Sequence, residues 1–291
     1  MMPGRLFCFG LGYTAMVLAR RLRRHGWKIA GTTREDERCR MLAGEGIEAY
    51  RFDRAQPLAD PAAALAGANY ILLSVPPDAE GDPVLDLHGD DIAGLGGIRW
   101  LGYLSTTGVY GDRGGDWVDE TSELRPSTER GARRVAAEQG WLNLGQRHGL
   151  PVHVFRLAGI YGPGRNQIES LKAGSARRIV KPGQVFSRIH VEDIATVLEA
   201  SMAKPNPGAT YNVCDDEAAA PQDVVAHAAG LLGIEPPPEI AFETADLSPM
   251  GRSFYAESKR CRNGRIKTEL GVSLRYPSYR EGLRALLDDQ A

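Results

Sequence analysis

A glycine-rich segment near the amino terminus has the residue types and the spacing needed to hold a phosphate. Residues 10–15 read Gly-Leu-Gly-Tyr-Thr-Ala and fit the pattern G-x-G-x-x-G/A, between an apolar run and an amphipathic stretch. Gly10 would permit a tight turn, Gly12 would let the backbone approach a pyrophosphate, and Ala15 would allow close helix packing. A chance glycine turn is the alternative in a chain with 34 glycines. The residues of this segment predicted to form part of the cofactor site are Gly10, Gly12, Tyr13, Thr14 and Ala15.

The residues after the second apolar run bear on which dinucleotide would bind. A protein that prefers NAD usually has an acidic residue there for the ribose 2′-hydroxyl, whereas this chain has Thr33 and Arg34. The Arg34 guanidinium could bind a 2′-phosphate in a bidentate way, and the Thr33 hydroxyl could add a bond. We therefore expect NADP(H) to be preferred over NAD(H). A solvated loop arginine beside the acidic residues 35–37 is the alternative.

Two further sites follow apolar runs, where the adenine and its ribose would lie. The residues are Asp53, Ser74, Val75 and Pro76. For Asp53, a plain turn role is the alternative.

A parallel sheet would bring these segments together, and the first 160 residues predict one. Apolar runs alternate with amphipathic stretches, which is the pattern of βαβ units. The predicted strands are 5–9, 27–32, 48–52, 70–75, 100–105 and 152–157. Beyond residue 161 the chain is rich in Gly-Pro turns, and a helix predicted over 221–232 ends before three prolines.

The expected fold class is α/β, with two lobes. The first is a Rossmann-type doubly wound parallel sheet that binds NADP, formed by residues 1–160 plus about 190–212. The second is a smaller carboxyl-terminal α/β substrate lobe, formed by residues 161–189 and 213–291.

Charge and cysteine spacing limit the kind of partner. Lys and Arg number 35 and Asp and Glu number 37, so a formal charge of -2 offers no field to attract nucleic acid or an anionic membrane. The four cysteines are far apart and have no histidine at metal-ligand spacing, so no metal site or disulfide framework is predicted. The apolar stretch 6–19 is interrupted by two glycines and followed by arginines, unlike a signal peptide. We expect a cytoplasmic protein whose partner is a small molecule.

From the fourth predicted strand onward, the chain resembles the extended short-chain dehydrogenase/reductase family, in its epimerase and dehydratase branch. The segments that carry the resemblance are 104–112, 156–164, 190–193 and 211–216. Members of this family reduce, epimerise or dehydrate nucleotide sugars and related carbonyl compounds. The resemblance therefore implies such a substrate.

The resemblance also implies a Ser or Thr on the fifth strand and a Tyr-x-x-x-Lys pair on the next helix, where the lysine lowers the pKa of the tyrosine. Thr106 fits the first position. In the helix predicted over 128–139, the register of Glu138 puts Arg130 and Arg134 at the Tyr and Lys positions. The chain is thus similar to the atypical, YeeZ-like subgroup, which keeps the nucleotide fold without this pair.

The remaining candidates are assigned to cofactor, catalysis or substrate as follows. Tyr110 is the predicted acid, with Thr106 as its hydrogen-bond partner, and packing is the alternative for Tyr110. Arg134 and Leu157 are predicted to contact the cofactor, although Arg130 and Arg134 could instead pair with Glu129 or Glu138 on the helix surface. The predicted substrate residues are Thr107, Arg130, Tyr161, Arg188 and His190. The Tyr-x-x-x-Lys spacing at Tyr255 and Lys259 is interpreted as a coincidence outside the site.

Three functions are open at this point. The favoured one is an NADP(H)-binding epimerase/dehydratase-like oxidoreductase that acts on a small carbonyl or nucleotide-sugar-like substrate, with an anionic group as one option. The second is a catalytically inactive NADP(H)-binding sensor, and the third is an interaction protein with a vestigial pocket. Whether the chain is an enzyme, and whether it is a monomer or a homodimer, stays open.

Overall fold

The computed structural model describes residues 2–289, which form two compact units. The first unit comprises residues 2–105, Ala132–Arg156 and Ala195–Tyr211, and the second comprises Thr106–Gly131, Leu157–Ile194 and residues 212–289. The sequence-based division differs mainly in placing residues 106–131 in the first lobe.

The elements are numbered in chain order. The strands are β1 (Arg5–Phe9), β2 (Lys28–Thr33), β3 (Glu48–Arg51), β4 (Tyr70–Leu73), β5 (Trp100–Thr106), β6 (Trp117–Val118), β7 (Val152–Leu157), β8 (Gly159–Tyr161), β9 (Arg178–Val180), β10 (Arg188–His190), β11 (Thr210–Val213), β12 (Glu239–Ala241) and β13 (Arg260–Cys261). The helices are α1 (Tyr13–Arg24), α2 (Asp36–Gly44), α3 (Pro61–Leu65), α4 (Pro83–Ala93), α5 (Glu129–His148), α6 (Gln167–Lys172), α7 (Val191–Ala203), α8 (Pro221–Leu232), α9 (Pro249–Phe254), α10 (Gly264–Thr268) and α11 (Tyr279–Asp288), with a 3₁₀ turn at Thr107–Tyr110.

A seven-stranded parallel sheet is the centre of the first unit, so the predicted Rossmann-type fold class is confirmed. Its strand order is β11-β7-β5-β4-β1-β2-β3. The chain builds outward from β1 in one direction through β2 and β3, and in the other through β4 and β5, so the order reverses between β1 and β4. In sheets of this kind, ligands bind beyond the carboxyl ends of the strands at this point of reversal.

Burial explains which apolar runs became strands. All four residues of β4 are buried, and β1 and β7 are buried almost throughout, as expected for strands covered on both faces. The edge strand β3 is only half-buried. All six predicted strands are present, with ends that differ by at most two residues. The seventh, β11, was not predicted.

The second unit contains three two-stranded parallel pairs, β10-β8, β12-β9 and β13-β6. Its core cluster includes Tyr161 with apolar residues of α6, α8 and α11. The predicted helix over 221–232 is α8, and it ends at Gly233 with a φ of +66°. Among residues 2–289, no helix is both long and apolar enough to span a membrane.

Candidate functional site

The glycine loop after β1 is held by the neighbouring strand. Gly10 has a φ of +91°, a conformation that favours glycine. Its N–H donates to the Thr32 Oγ1 at 2.8 Å, and the Leu11 N–H donates to the Thr32 carbonyl at 2.7 Å. Thr32 is 1% exposed, so these bonds form inside the unit. Sequence reasoning missed Thr32, although a hydroxyl at the end of a buried run beside a glycine turn is a usable signal.

Helix α1 begins at this loop and offers an open amino terminus. Its N-cap is Gly12, no side chain caps it, and its first turn contains no acidic residue. A Cβ added at Gly12 would meet no other atom within 4 Å, whereas Ala15 is completely buried against the sheet. Uncapped N–H groups at the positive end of a helix bind anions, so the residues present fit a dinucleotide pyrophosphate.

The segment after β4 lies against the same loop. The Ser74 N–H donates to the Phe9 carbonyl at 2.8 Å. A Cβ at Gly10 would come within 3.2 Å of the backbone nitrogen and the Cγ2 of Val75. A side chain at position 10 would therefore be crowded against this segment in addition to being strained by the positive φ, which explains why glycine is needed.

The predicted nucleotide-binding residues that follow β2 and β3 differ in whether their side chains already make hydrogen bonds within the protein. Arg34 is exposed and bonds to no other residue in the range 2–289. The Asp53 Oδ1 accepts from the N–H groups of Ala55 and Gln56, both at 2.9 Å. Asp53 therefore forms the turn that was its alternative reading, and its second oxygen is the one left for a ligand.

Arg134, which the sequence predicts at the position of the family's lysine, is bonded to the sheet. Its Nη1 donates to the Leu104 carbonyl at 2.6 Å and to the Tyr103 hydroxyl at 3.1 Å, and its guanidinium carbon lies 5.7 Å from the centre of the Tyr103 ring. Glu138 does not pair with it, because that carboxylate is buried against Arg156, at 2.8 Å, and Ser105. Surface pairing of Arg134 with Glu138 is therefore ruled out.

The second unit contains the predicted catalytic hydroxyls. The Thr106 Oγ1 accepts from the Gly108 N–H at 3.1 Å, which leaves the hydroxyl hydrogen available to another acceptor. Tyr110 is completely buried, and its hydroxyl donates to the Asn212 Oδ1 at 2.7 Å. Arg130 is exposed and, in the described part of the chain, bonds to no other side chain.

Tyr161 and His190 are register partners on β8 and β10, with ring centres 5.1 Å apart. The His190 Nδ1 accepts from the Glu192 N–H at 3.2 Å, which makes it a helix-entry residue. Burial and then the Arg275 charge lower the pKa of His190 to about 4, so it is neutral near pH 7. Burial raises the pKa of Tyr161.

Arg188 lies beside a buried acid that sequence reasoning missed. Its Nη1 donates to the carbonyls of Phe186, at 2.9 Å, and Ala219, at 3.0 Å. Asp215 is 3% exposed, and its Oδ2 has no hydrogen-bond partner among the described residues. Burial raises the pKa of Asp215 to about 8, against the Arg188 charge, which lowers it.

Tyr255 and Lys259, whose spacing is interpreted above as a coincidence, contact different partners. Tyr255 follows the end of α9 and its ring contacts Phe242 and Phe186. The Lys259 Nζ donates to the Gly111 carbonyl at 2.9 Å and to Glu257 at 2.6 Å. The two side chains are thus engaged separately. Over residues 2–289, no group of three or more His, Cys, Asp or Glu side chains could hold a metal ion.

Comparison with known proteins places these observations in a family. Residues 92–214 match the NAD dependent epimerase/dehydratase family. Protein YeeZ of Escherichia coli K12 is 30% identical over 282 residues, which cover 92% of this chain and 94% of that protein. Several solved structures share the fold along nearly the whole chain.

Two of these structures differ widely in their sequence identity to this chain. A conserved protein of unknown function from Silicibacter pomeroyi is 55% identical, with a TM-score of 0.89 and 99% of each chain covered. The UDP-glucuronic acid 4-epimerase of Bacillus cereus, solved with UDP-glucuronic acid and NAD, is 14% identical, with a TM-score of 0.78 and coverage of 99% and 100%. At 14% identity the likeness concerns the fold alone.

Proposed function

Since the chain belongs to the NAD-dependent epimerase/dehydratase family, we propose that it is an NADP(H)-binding epimerase/dehydratase-like oxidoreductase that acts on a small carbonyl or nucleotide-sugar-like substrate. The observation that carries this proposal is the open, uncapped amino terminus of α1 at the point where the strand order reverses.

The residues of the first unit would hold the cofactor, whose nicotinamide supplies hydride transfer when bound. Gly12 and the first turn of α1 receive the pyrophosphate, while Thr32 fixes the loop. Thr33 and Arg34 bind a 2′-phosphate. The further proposed cofactor contacts are Tyr13, Thr14, Asp53, Ser74, Val75, Pro76, Arg134 and Leu157.

The residues of the second unit would act on the substrate. The Thr106 hydroxyl retains a hydrogen that can be donated to a substrate carbonyl. Exposed Arg130 and half-buried Arg188 suit an anionic group, and Thr107, Tyr161 and His190 complete the proposed set. The role of Tyr110 as the acid stays a prediction, since its proton reaches a substrate only after the bond to Asn212 is given up.

The cofactor preference is tested by titrating the protein with NADPH and with NADH. We expect NADPH to bind more tightly, and Arg34→Ala to erase the preference, at a cost of about 1.5–3 kcal/mol for a lost charge-assisted bond. Arg20→Ala is the matched control, because Arg20 is an exposed arginine on α1 that pairs with Glu45. Equal affinity for both nucleotides in the unaltered protein contradicts the preference.

A sensor is the second candidate, and the bonding of Arg134 favours it. The guanidinium that replaces the family's lysine is engaged with Tyr103 and Leu104, and a guanidinium stays charged and cannot relay protons. In such a protein, NADP(H) occupancy would control a partner without turnover. Under either function we expect a cytoplasmic monomer or homodimer.

A further inference from the structure

Arg34 and Arg51 lie at the carboxyl ends of two neighbouring strands. Strands β2 and β3 are parallel, and Thr33 is the register partner of Arg51. Arg34 follows Thr33 directly. Because adjacent strands lie about 4.8 Å apart, guanidinium groups from these two positions can reach one anion.

Arg51 already binds an anion, the carboxylate of Asp36. Its Nη1 lies 3.1 Å from the Asp36 Oδ2, and the two side chains are 40% and 64% exposed. Among residues 2–289, the Arg51 side chain makes no other hydrogen bond, so its remaining N–H groups are available to a ligand. An exposed pair of this kind is worth roughly 0–1 kcal/mol, so a stronger anion can displace the carboxylate at little cost.

We propose that Arg51 is a second residue that selects for NADP(H), and that Asp36 occupies its guanidinium until a ribose 2′-phosphate displaces the carboxylate. This inference rests on the proposed function, because it assigns two more residues to the same cofactor site. Arg34 and Arg51 then bind the phosphate together, while Asp36 turns to solvent.

The charge of the ligand decides whether this exchange takes place. A 2′-phosphate brings three acceptor oxygens and about two negative charges, more than the single charge of Asp36. The 2′-hydroxyl of NAD(H) is neutral and leaves the Arg51–Asp36 pair in place. Asp36 thus acts as an internal competitor that weakens NADP(H) binding without touching NAD(H), and its removal has the opposite effect to the removal of Arg51.

The test compares dissociation constants for NADPH and NADH in the full-length protein and in Arg51→Ala, Asp36→Asn and Arg20→Ala. We expect Arg51→Ala to raise the dissociation constant for NADPH about 10-fold and that for NADH less than about 2-fold, as for one lost charge-assisted bond. Asp36→Asn should strengthen NADPH binding about 2- to 5-fold, which corresponds to the free energy of an exposed ion pair, and leave NADH binding unchanged. Arg20→Ala, which breaks an exposed pair away from the strand ends, should alter neither.

The outcomes separate this inference from the proposed function. If Arg34→Ala erases the NADPH preference while Arg51→Ala and Asp36→Asn leave it intact, the role of Arg51 is wrong and the cofactor assignment stands. If the unaltered protein binds NADPH no better than NADH, or binds neither, the cofactor assignment fails and the role of Arg51 falls with it. Adenosine 2′,5′-bisphosphate and 5′-AMP, used in the same titrations, show whether the 2′-phosphate alone carries the difference.

Discussion

The Tyr110 hydroxyl is engaged in a hydrogen bond inside the second unit, and this determines what its removal should do. The Asn212 Oδ1 would lose its donor in Tyr110→Phe, at a cost of about 1 kcal/mol in the free energy of unfolding. We expect NADPH affinity to be nearly unchanged. Calorimetry and nucleotide titration measure both quantities. If turnover on an identified substrate falls ~10²-fold at unchanged NADPH affinity, Tyr110 is the acid after all.

Asp215 should make the stability of the protein depend on pH. Its pKa in the folded protein is about 8, raised by burial above the ordinary value, and the charges that face it are Arg188, Asp216 and Glu217. Folding therefore favours the protonated acid, so stability is unaffected below about pH 4 and declines as the pH rises towards 8. Asp215→Asn should remove this decline and stabilise the protein at pH 8.5 by a few kcal/mol at most.

Thermal unfolding of both proteins at pH 5 and at pH 8.5 checks the prediction for Asp215. The two proteins should differ less at pH 5 than at pH 8.5, because pH 5 is only about one unit above the pKa at which Asp215 ionises in the unfolded chain, so most of the decline lies at higher pH. The same difference in melting temperature at both pH values would mean that Asp215 does not titrate in this range.

Among single residues, the sequence predicted those whose role follows from the backbone. The positions of Gly10 and Gly12 follow from a spacing that a strand, turn and helix impose. Thr32 and Asp215 have contacts with residues distant in the chain. A hydroxyl at the end of a buried run is a partial signal for Thr32, whereas no local pattern predicts Asp215. The bond from Arg134 to the Leu104 carbonyl depends likewise on how α5 packs against β5.

At the scale of elements, the contact between β2 and the glycine loop should control affinity for both nucleotides. Thr32→Val keeps the shape but removes the oxygen that accepts from the Gly10 N–H, leaving that donor unpaired at a cost of about 1–3 kcal/mol. We expect NADPH and NADH to be weakened by the same factor in titrations. Thr33→Val is the matched control, and it should weaken only NADPH. A loss confined to NADPH in Thr32→Val would contradict the loop-fixing role.

The sequence predicted elements well where burial dictates the pattern, and less well elsewhere. β1 and β7 match their predicted ends because both faces are covered and their apolar runs are continuous. β11 is short and follows a Pro-Gly segment, so nothing local distinguished it from a turn. α5 extends to His148, beyond the predicted end at residue 139. Gly140 and Gly145 lie within the helix, although glycine usually indicates a helix end.

At the scale of the whole molecule, residues 106–131 belong by contacts to the second unit, although the chain enters them directly from β5. Thr106 and Arg130 are therefore grouped with the substrate residues, and Arg134 with the cofactor residues. Sequence order alone could not show this, because the unit boundary falls within β5 and again within α5. The separation lets cofactor binding and catalysis be tested by different variants.

Turnover distinguishes the enzyme from the sensor, and Arg134 and Arg130 provide the contrast. If the protein is an oxidoreductase, at least one carbonyl or nucleotide-sugar compound should change the nicotinamide absorbance of bound NADPH above background, and Arg130→Ala should lower that rate at unchanged NADPH affinity. If it is a sensor, no compound does so, but Arg134→Ala should still weaken NADPH binding, because it removes the proposed contact of Arg134 with the cofactor together with the bonds that hold the guanidinium at Leu104 and Tyr103. Unchanged NADPH affinity in Arg134→Ala contradicts the contact assigned to Arg134 under both functions.

Turnover that survives Thr106→Val and Tyr110→Phe together would mean that neither hydroxyl supplies the proton, so water or another group must do so.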